Sequence, residues 1–282
     1  MSRSAALALA VLASASPATA GPEPWGGWIR LDLAAAGRAL VAASPKESGA
    51  GQVLTVVIEG DGAAHDRRGR PTADPTPRRA ASLEIARAWP GGPRAWLGRL
   101  CQYGARADPA CTPADWTTGR FSPTAVAAAD AAIDQLKARA GAAQVLLVGW
   151  SGGGVMAVLV AARRDDVAGL VTLAAPLDLG GWTARQGLTG LADSLDPAGL
   201  PPMPQIPQAH VFGSFDTTVP PDPAKAVAHR LAGPAGRVVV WPERHACCWA
   251  RRVDELAALL KAAGSDPALA GRQPAQETAA AP

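Results

Sequence analysis

Three residue types in one order carry the chemistry this chain could perform. Ser151 stands in the pentapeptide Gly149-Trp150-Ser151-Gly152-Gly153. Asp216 follows the run Ala209-His210-Val211-Phe212-Gly213, and His245 follows Val238-Val239-Val240-Trp241 after the short loop Pro242-Glu243-Arg244. A serine hydroxyl becomes a nucleophile when an imidazole takes its proton, and a carboxylate behind the ring holds the tautomer that can do so. Ser151 is therefore the candidate nucleophile, His245 the base and Asp216 the orienting acid. Asp178, after an earlier strand, is the rival acid, and Asp222 reads as a helix N-cap. His210 reads as a buried structural residue, His65 as a loop residue near the mouth, and His229 as a solvated helix residue.

The pentapeptide matches the nucleophile elbow G-x-S-x-G, in which a sharp strand-to-helix turn lifts the hydroxyl out of the sheet. Glycines on either side remove the Cβ atoms that would clash in so tight a bend. In a Gly-rich chain the bare pattern is weak, and a phosphate-binding turn would also be Gly-rich. No Lys stands there and no G-x-G-x-x-G fits, so the nucleotide reading has little support. The oxyanion of an attacked carbonyl needs two N–H donors. One is expected from Gly152, at the start of the following helix, and the other from the Gly60-Asp61-Gly62 loop, with Asp61 preferred to Gly60. Trp150 and Trp182 are expected either to line a substrate pocket or to pack in the core.

The elements around these residues have the right kind. Gln144 to Trp150 is a buried strand, and Val155 to Arg163 an apolar helix. Strands are also predicted over 28–33, 52–59, 94–100, 169–174, 208–213 and 237–241. Helices are predicted over 82–89, 123–140, 222–231 and 249–262. Alternation of this kind argues for an α/β fold, a mainly parallel sheet with helices on both faces. The Gly-, Pro- and Trp-containing stretch 180–208 breaks the alternation, and reads as a short cap or as a surface connection. Sites in open α/β sheets gather at the carboxyl ends of strands, which is where Ser151, Asp216 and His245 all fall.

The combination of Gly-Trp-Ser-Gly-Gly, His210-x-x-Gly213-x-x-Asp216-x-x-Val219-Pro220 and a histidine past the last strand resembles the α/β-hydrolase superfamily, over roughly residues 50–262. The resemblance implies the α/β-hydrolase fold with an eight-stranded type of sheet, a Ser-Asp-His triad, cleavage of an acyl bond and a lid over the nucleophile. The chain looks like a group of exported bacterial hydrolases of poorly defined substrate. It departs from many members in carrying Gly-Asp-Gly where they have His-Gly. An acyltransferase with the same triad, or a binding protein on the same fold, are the alternatives.

The bulk of the chain agrees. Its 282 residues are 48% hydrophobic, enough for one well-cored domain, expected over 21–263. The formal charge is +3 without a basic stripe, so nucleic acid is not an expected partner. The expected partner is a small-molecule acyl substrate, and oligomeric state is left open. Arg3, the apolar run Ala5–Ala15 and Ala18-Thr19-Ala20 form a secretory leader over 1–20, too short for a stable membrane span. An exported, periplasmic or secreted chain with four cysteines is expected to form disulfides. Cys101 and Cys111 flank a short loop and close a ring easily. Cys247-Cys248 is either a vicinal disulfide or a packed pair. No Cys/His set has zinc spacing, and the triad chemistry requires no cofactor. The Ala/Pro/Gln-rich tail 264–282 reads as disordered.

Overall fold

The computed structural model describes residues 25–47, 49, 51–105 and 108–264. The leader, and all of the tail but Gly264, lie outside the described residues. Eight strands form one sheet in the order β1-β2-β4-β3-β5-β6-β7-β8. Strands β1 (Trp28–Ala35) and β2 (Arg38–Pro45) make an antiparallel hairpin. Its turn, Ala36-Gly37, has positive φ at both residues, the twist that suits a two-residue hairpin. Strand β2 runs antiparallel to β4 (Arg94–Leu97). From there β3 (Val53–Ile58), β5 (Gln144–Trp150), β6 (Val167–Leu173), β7 (Gln208–Gly213) and β8 (Arg237–Trp241) are all parallel. Their carboxyl ends therefore share one edge of the sheet.

Helices cover both faces, because parallel strands need crossovers and bury both sides. One apolar layer holds residues of α2 (Pro123–Ala140), α3 (Gly152–Ala161) and α5 (Pro221–Ala232) against the sheet. The other holds α1 (Ala81–Ala88) and α6 (Val253–Gly264). Helix α2 starts where the Ala125 N–H donates to the Ser122 hydroxyl at 3.2 Å, with Pro123 in its first turn, and stops at Gly141 in the left-handed region.

Three expectations need correction. Strand β2 was not predicted, since its sequence RALVAASP neither alternates nor is rich in β-branched residues. Helix α3 begins at Gly152, three residues before its predicted start, so its first turn is made of glycines that propensity alone would keep out. Asp222, expected as an N-cap, keeps the extended backbone of a cap (φ −82°, ψ 137°) at a kink inside α5, whose bounds put a first cap at Pro220; its side chain pairs with Lys225 at 3.7 Å. The last helical stretch is divided, with a 3-10 turn over Trp249–Arg252 leading into α6.

Two buried polar features brace the sheet near the edge where the site forms. Cys101 and Cys111 are joined in a disulfide. The Arg38 guanidinium lies 3.8 Å from both sulfurs, and pairs with Asp108 at 2.8 Å and Asp115 at 3.0 Å. Behind β3, the fully buried Glu59 accepts from the Gly60 N–H at 3.0 Å, and from Trp96 Nε1–H and Tyr103 O–H, each at 3.3 Å. Burial raises its carboxyl, hydrogen bonds from Gly60, Ser82, Trp96 and Tyr103 oppose the rise, and the balance stands at about 7.

Two outcomes are expected. The disulfide joins residues with a sequence separation of 10. Its loss in a Cys101→Ala/Cys111→Ala variant should lower urea stability by about 2–3 kcal/mol, from the entropy a closed loop removes from the unfolded chain. An unchanged midpoint would show that the packing around Arg38 holds this loop without it. Glu59 binds its proton more tightly folded, at about 7, than unfolded, at about 4.5. Its contribution is complete below the unfolded value and is lost as pH rises through the folded one. Melting curves of Glu59→Gln should therefore decline less than wild type between about pH 4.5 and 7, and parallel declines would refute this.

Candidate active site

Strand β5 delivers Ser151 to the carboxyl edge of the sheet. There the backbone turns sharply, with Ser151 at φ 54° and ψ −127°, a region a non-glycine residue occupies only under constraint. Its N–H is held by the Leu173 carbonyl of β6 at 2.8 Å. The turn feeds directly into α3, which packs so close to β3 that a Cβ on Gly153 would strike the backbone carbonyls of Ile58 and Glu59. Gly153 is required by that approach, and a Cβ on Gly154 would instead meet Ala175.

Strands β7 and β8 deliver the other two groups. The Asp216 carboxylate is sealed from solvent. Its Oδ1 accepts from the Thr218 N–H at 2.9 Å and the Val219 N–H at 2.8 Å, and its Oδ2 lies 2.7 Å from His245 Nδ1. His245 Nε2 lies 3.0 Å from Ser151 Oγ. With a proton on Nδ1 the ring donates to Asp216 and accepts from the serine hydroxyl. The His245 carbonyl accepts two indole N–H groups, from Trp150 at 2.9 Å and Trp249 at 2.8 Å. Trp150 thus fixes the histidine loop as well as bordering the cleft, and Trp249 is a support the sequence reading missed.

The oxyanion side is narrower than expected. The Gly60 N–H is engaged by Glu59, and the Gly60 carbonyl by Gln102 Nε2 at 3.0 Å. Of the two N–H groups expected on this side, that of Gly60 is therefore already engaged by a neighbouring side chain. As the first residue of α3, Gly152 has no acceptor for its N–H one turn back. Asp61 sits against it, since a Cβ on Gly152 would collide with the Asp61 carboxylate. That carboxylate pairs with Arg120 at 2.6 Å and Arg99 at 3.2 Å. Burial works to raise it, but the charges of Arg120 and Arg99 together hold it below the usual carboxylate range. Neither arginine was singled out in the sequence, where they lie 38 and 59 residues from Asp61.

The remaining candidates take other places. Asp178 caps α4 (Leu179–Gln186), accepting from the Gly181 N–H at 2.7 Å, and is no part of the relay. His210 is fully buried between Thr172 and Gln208, at 2.8 and 3.0 Å, and burial pushes its imidazole down to about 3. His229 is exposed on α5. Cys247 and Cys248 are joined to each other; Cys247 is exposed, which excludes the packed-pair reading. Among the described residues no cluster of His, Cys, Asp or Glu could hold a metal ion, and no helix is long and apolar enough to cross a membrane.

A cleft of about 1110 Å³ opens over Ser151 and His245, with His65 and Trp182 on its walls. The stretch expected as a cap forms one wall. It is tied down at several points: Trp182 Nε1–H donates to the Thr218 carbonyl at 2.8 Å, the Leu195 N–H to Phe121 at 3.0 Å, and Ser194 O–H to Thr118 at 2.7 Å. Those bonds join the segment to the loops beside the cleft.

No protein-family model matches the chain, and no curated protein does. Solved structures do. An alpha-beta serine hydrolase homologue from Coxiella burnetii superposes with a TM-score of 0.56 at 18% identity, covering 82% of this chain and 95% of that one. Est1E from Butyrivibrio proteoclasticus gives 0.55 at 17% identity, covering 84% and 100%. XC6422 from Xanthomonas campestris, described as a serine hydrolase without a lid, gives 0.53 at 15% identity, covering 86% and 96%. Sheet order, the strained serine at the end of β5 and these likenesses together establish that the chain has the α/β-hydrolase fold.

Proposed function

We propose that this chain is a serine hydrolase that cleaves an acyl bond, in the first instance a carboxylic ester. The observation that carries the reading is the unbroken relay from Asp216 through His245 to Ser151, with separations of 2.7 and 3.0 Å. Both lie within the reach that proton transfer requires. Fold alone would support little, because one fold hosts many activities.

His245 takes the proton of Ser151 as the oxygen attacks the substrate carbonyl. Asp216, held by two backbone N–H groups, keeps the imidazole in the tautomer that can accept, and stabilises the imidazolium once formed. The charge that develops on the carbonyl oxygen is taken by the N–H groups of Gly152 and Asp61. One such donor is worth about 3 kcal/mol of transition-state stabilisation. The alcohol leaves with the proton from His245, and an acyl-serine remains. Water, activated by the same histidine, then resolves it. Trp150 and Trp182 border the cleft and supply apolar surface to the substrate. The two disulfides fit an oxidising compartment, and with the leader over 1–20 they support export.

Ser151→Ala should abolish turnover of short-chain p-nitrophenyl esters and labelling by a fluorophosphonate, with an unchanged circular dichroism spectrum. Asp216→Asn should lower kcat by on the order of 10⁴, through the wrong tautomer. Labelling that persists in Ser151→Ala would reassign the nucleophile. A mild effect of Asp216→Asn beside a severe one of Asp178→Asn would reassign the acid.

A further inference from the structure

The walls of the cleft differ sharply in charge. The loop after Asp61 folds into a small hairpin. The Thr72 N–H donates to the Ala64 carbonyl at 3.1 Å, the Asp66 N–H to Arg70 at 2.8 Å and the Gly69 N–H to Asp66 at 3.0 Å. The Asp66 carboxylate is used up in building it. Its Oδ1 accepts from the backbone N–H groups of Arg68 and Arg70 at 2.8 and 3.0 Å, and its Oδ2 pairs with the Arg70 side chain at 2.8 Å.

The other carboxylate of the wall, Asp61, is shared by Arg99 and Arg120. That cluster alone leaves one positive charge in excess. Arg67 and Arg68, at the hairpin tip, and Arg78, farther along the same loop, also line the cleft. All three are exposed, and among the described residues none has a carboxylate partner. His65, beside them, is held below the usual imidazole range by partial burial and by the charge of Arg120, against the opposing charges of Asp61 and Asp66. A carboxylate that would quench this field is therefore missing from the lining, although two aspartates stand there. The 180–208 stretch lines the same cleft with Trp182, Leu188 and Leu191 beside Thr183 and Thr189, and Leu188 is half-exposed at 50%.

We infer that the cleft takes an ester with two unlike ends: an anionic group that meets Arg67, Arg68 and Arg78, and an apolar portion that lies against Trp182, Leu188 and Leu191. The inference rests on the serine-hydrolase reading and specifies its substrate class. Several guanidinium groups at the mouth of one cleft raise the local concentration of an anion and orient it before reaction. A neutral ester gains only the apolar wall.

The test compares esters that differ in one charge. One pair is p-nitrophenyl hexanoate and mono-p-nitrophenyl adipate, which puts a carboxylate on the acyl side. The other is o-nitrophenyl acetate and the same ester with a ring carboxylate, which puts it on the alcohol side. Rates are divided by those of spontaneous hydrolysis. In at least one pair the anionic ester should have a kcat/KM about 10-fold higher at low salt, the lower end of such steering effects. The advantage should fade towards 1 M NaCl, where the Debye length shrinks to about 3 Å. It should also collapse in Arg67→Ala/Arg68→Ala/Arg78→Ala, whose fold is checked by its melting curve. Equal or faster turnover of the neutral ester in both pairs, or an advantage that survives in the triple variant, overturns the inference. If fluorophosphonate still labels Ser151 in that case, the serine reading stands without it. Neither turnover nor labelling in the wild type would remove both.

Discussion

The turn at Ser151 is the constraint on which the rest depends. A non-glycine residue at φ 54° costs about 1–3 kcal/mol, and it persists only where its surroundings over-determine it. Here the surroundings are helix α3, all ten residues of which are buried. Val155, Met156, Val158, Leu159 and Val160 each contribute roughly 1.5–3 kcal/mol on full burial. Their sum outweighs the strain several-fold, so the helix stays seated and the serine stays lifted. The same seating needs glycine at 153, where α3 meets the end of β3, and it points the helix N-terminus at the space above the hydroxyl.

Beside that turn, the loop after β3 is held through its polar atoms. Glu59 takes the Gly60 N–H, Gln102 takes the Gly60 carbonyl, and Arg99 and Arg120 take the Asp61 carboxylate. Each of these groups is buried or nearly so, where an unmatched polar atom is costly, so the loop has little freedom to depart from this arrangement. A loop that would be free in isolation thus becomes a rigid backing for Gly152. Rigidity before substrate arrives is what makes an oxyanion donor effective, since no reorganisation is then required during the reaction.

The histidine loop is secured differently. Two indoles converge on one backbone carbonyl, that of His245, so the imidazole is positioned by its main chain as well as by Asp216. The wall that carries Trp182 is bonded in turn to Thr218, whose N–H serves the Asp216 carboxylate. Asp216, His245 and this wall of the cleft are therefore joined in one hydrogen-bonded unit.

What the sequence determined alone was local. Ser151, Asp216 and His245 were legible because each follows an apolar run that reads as a strand, and because turn chemistry is written in adjacent residues. Strand ends at β5, β7 and β8 coincide with those predicted for the same reason. Strand β2 was not legible, because its Ala-rich sequence acquires strand character only from pairing with β1 and β4. Nor was the choice between Gly60 and Asp61, which turns on one hydrogen bond that the Gly60 N–H donates to the neighbouring Glu59 side chain. Trp96 and Tyr103, which reach Glu59, and Arg99 and Arg120, which reach Asp61, lie 37 to 59 residues away from them. No periodicity in the chain encodes such meetings. They follow from the register of β3 against β4 and from the packing of the loops beyond, which only the assembled sheet decides.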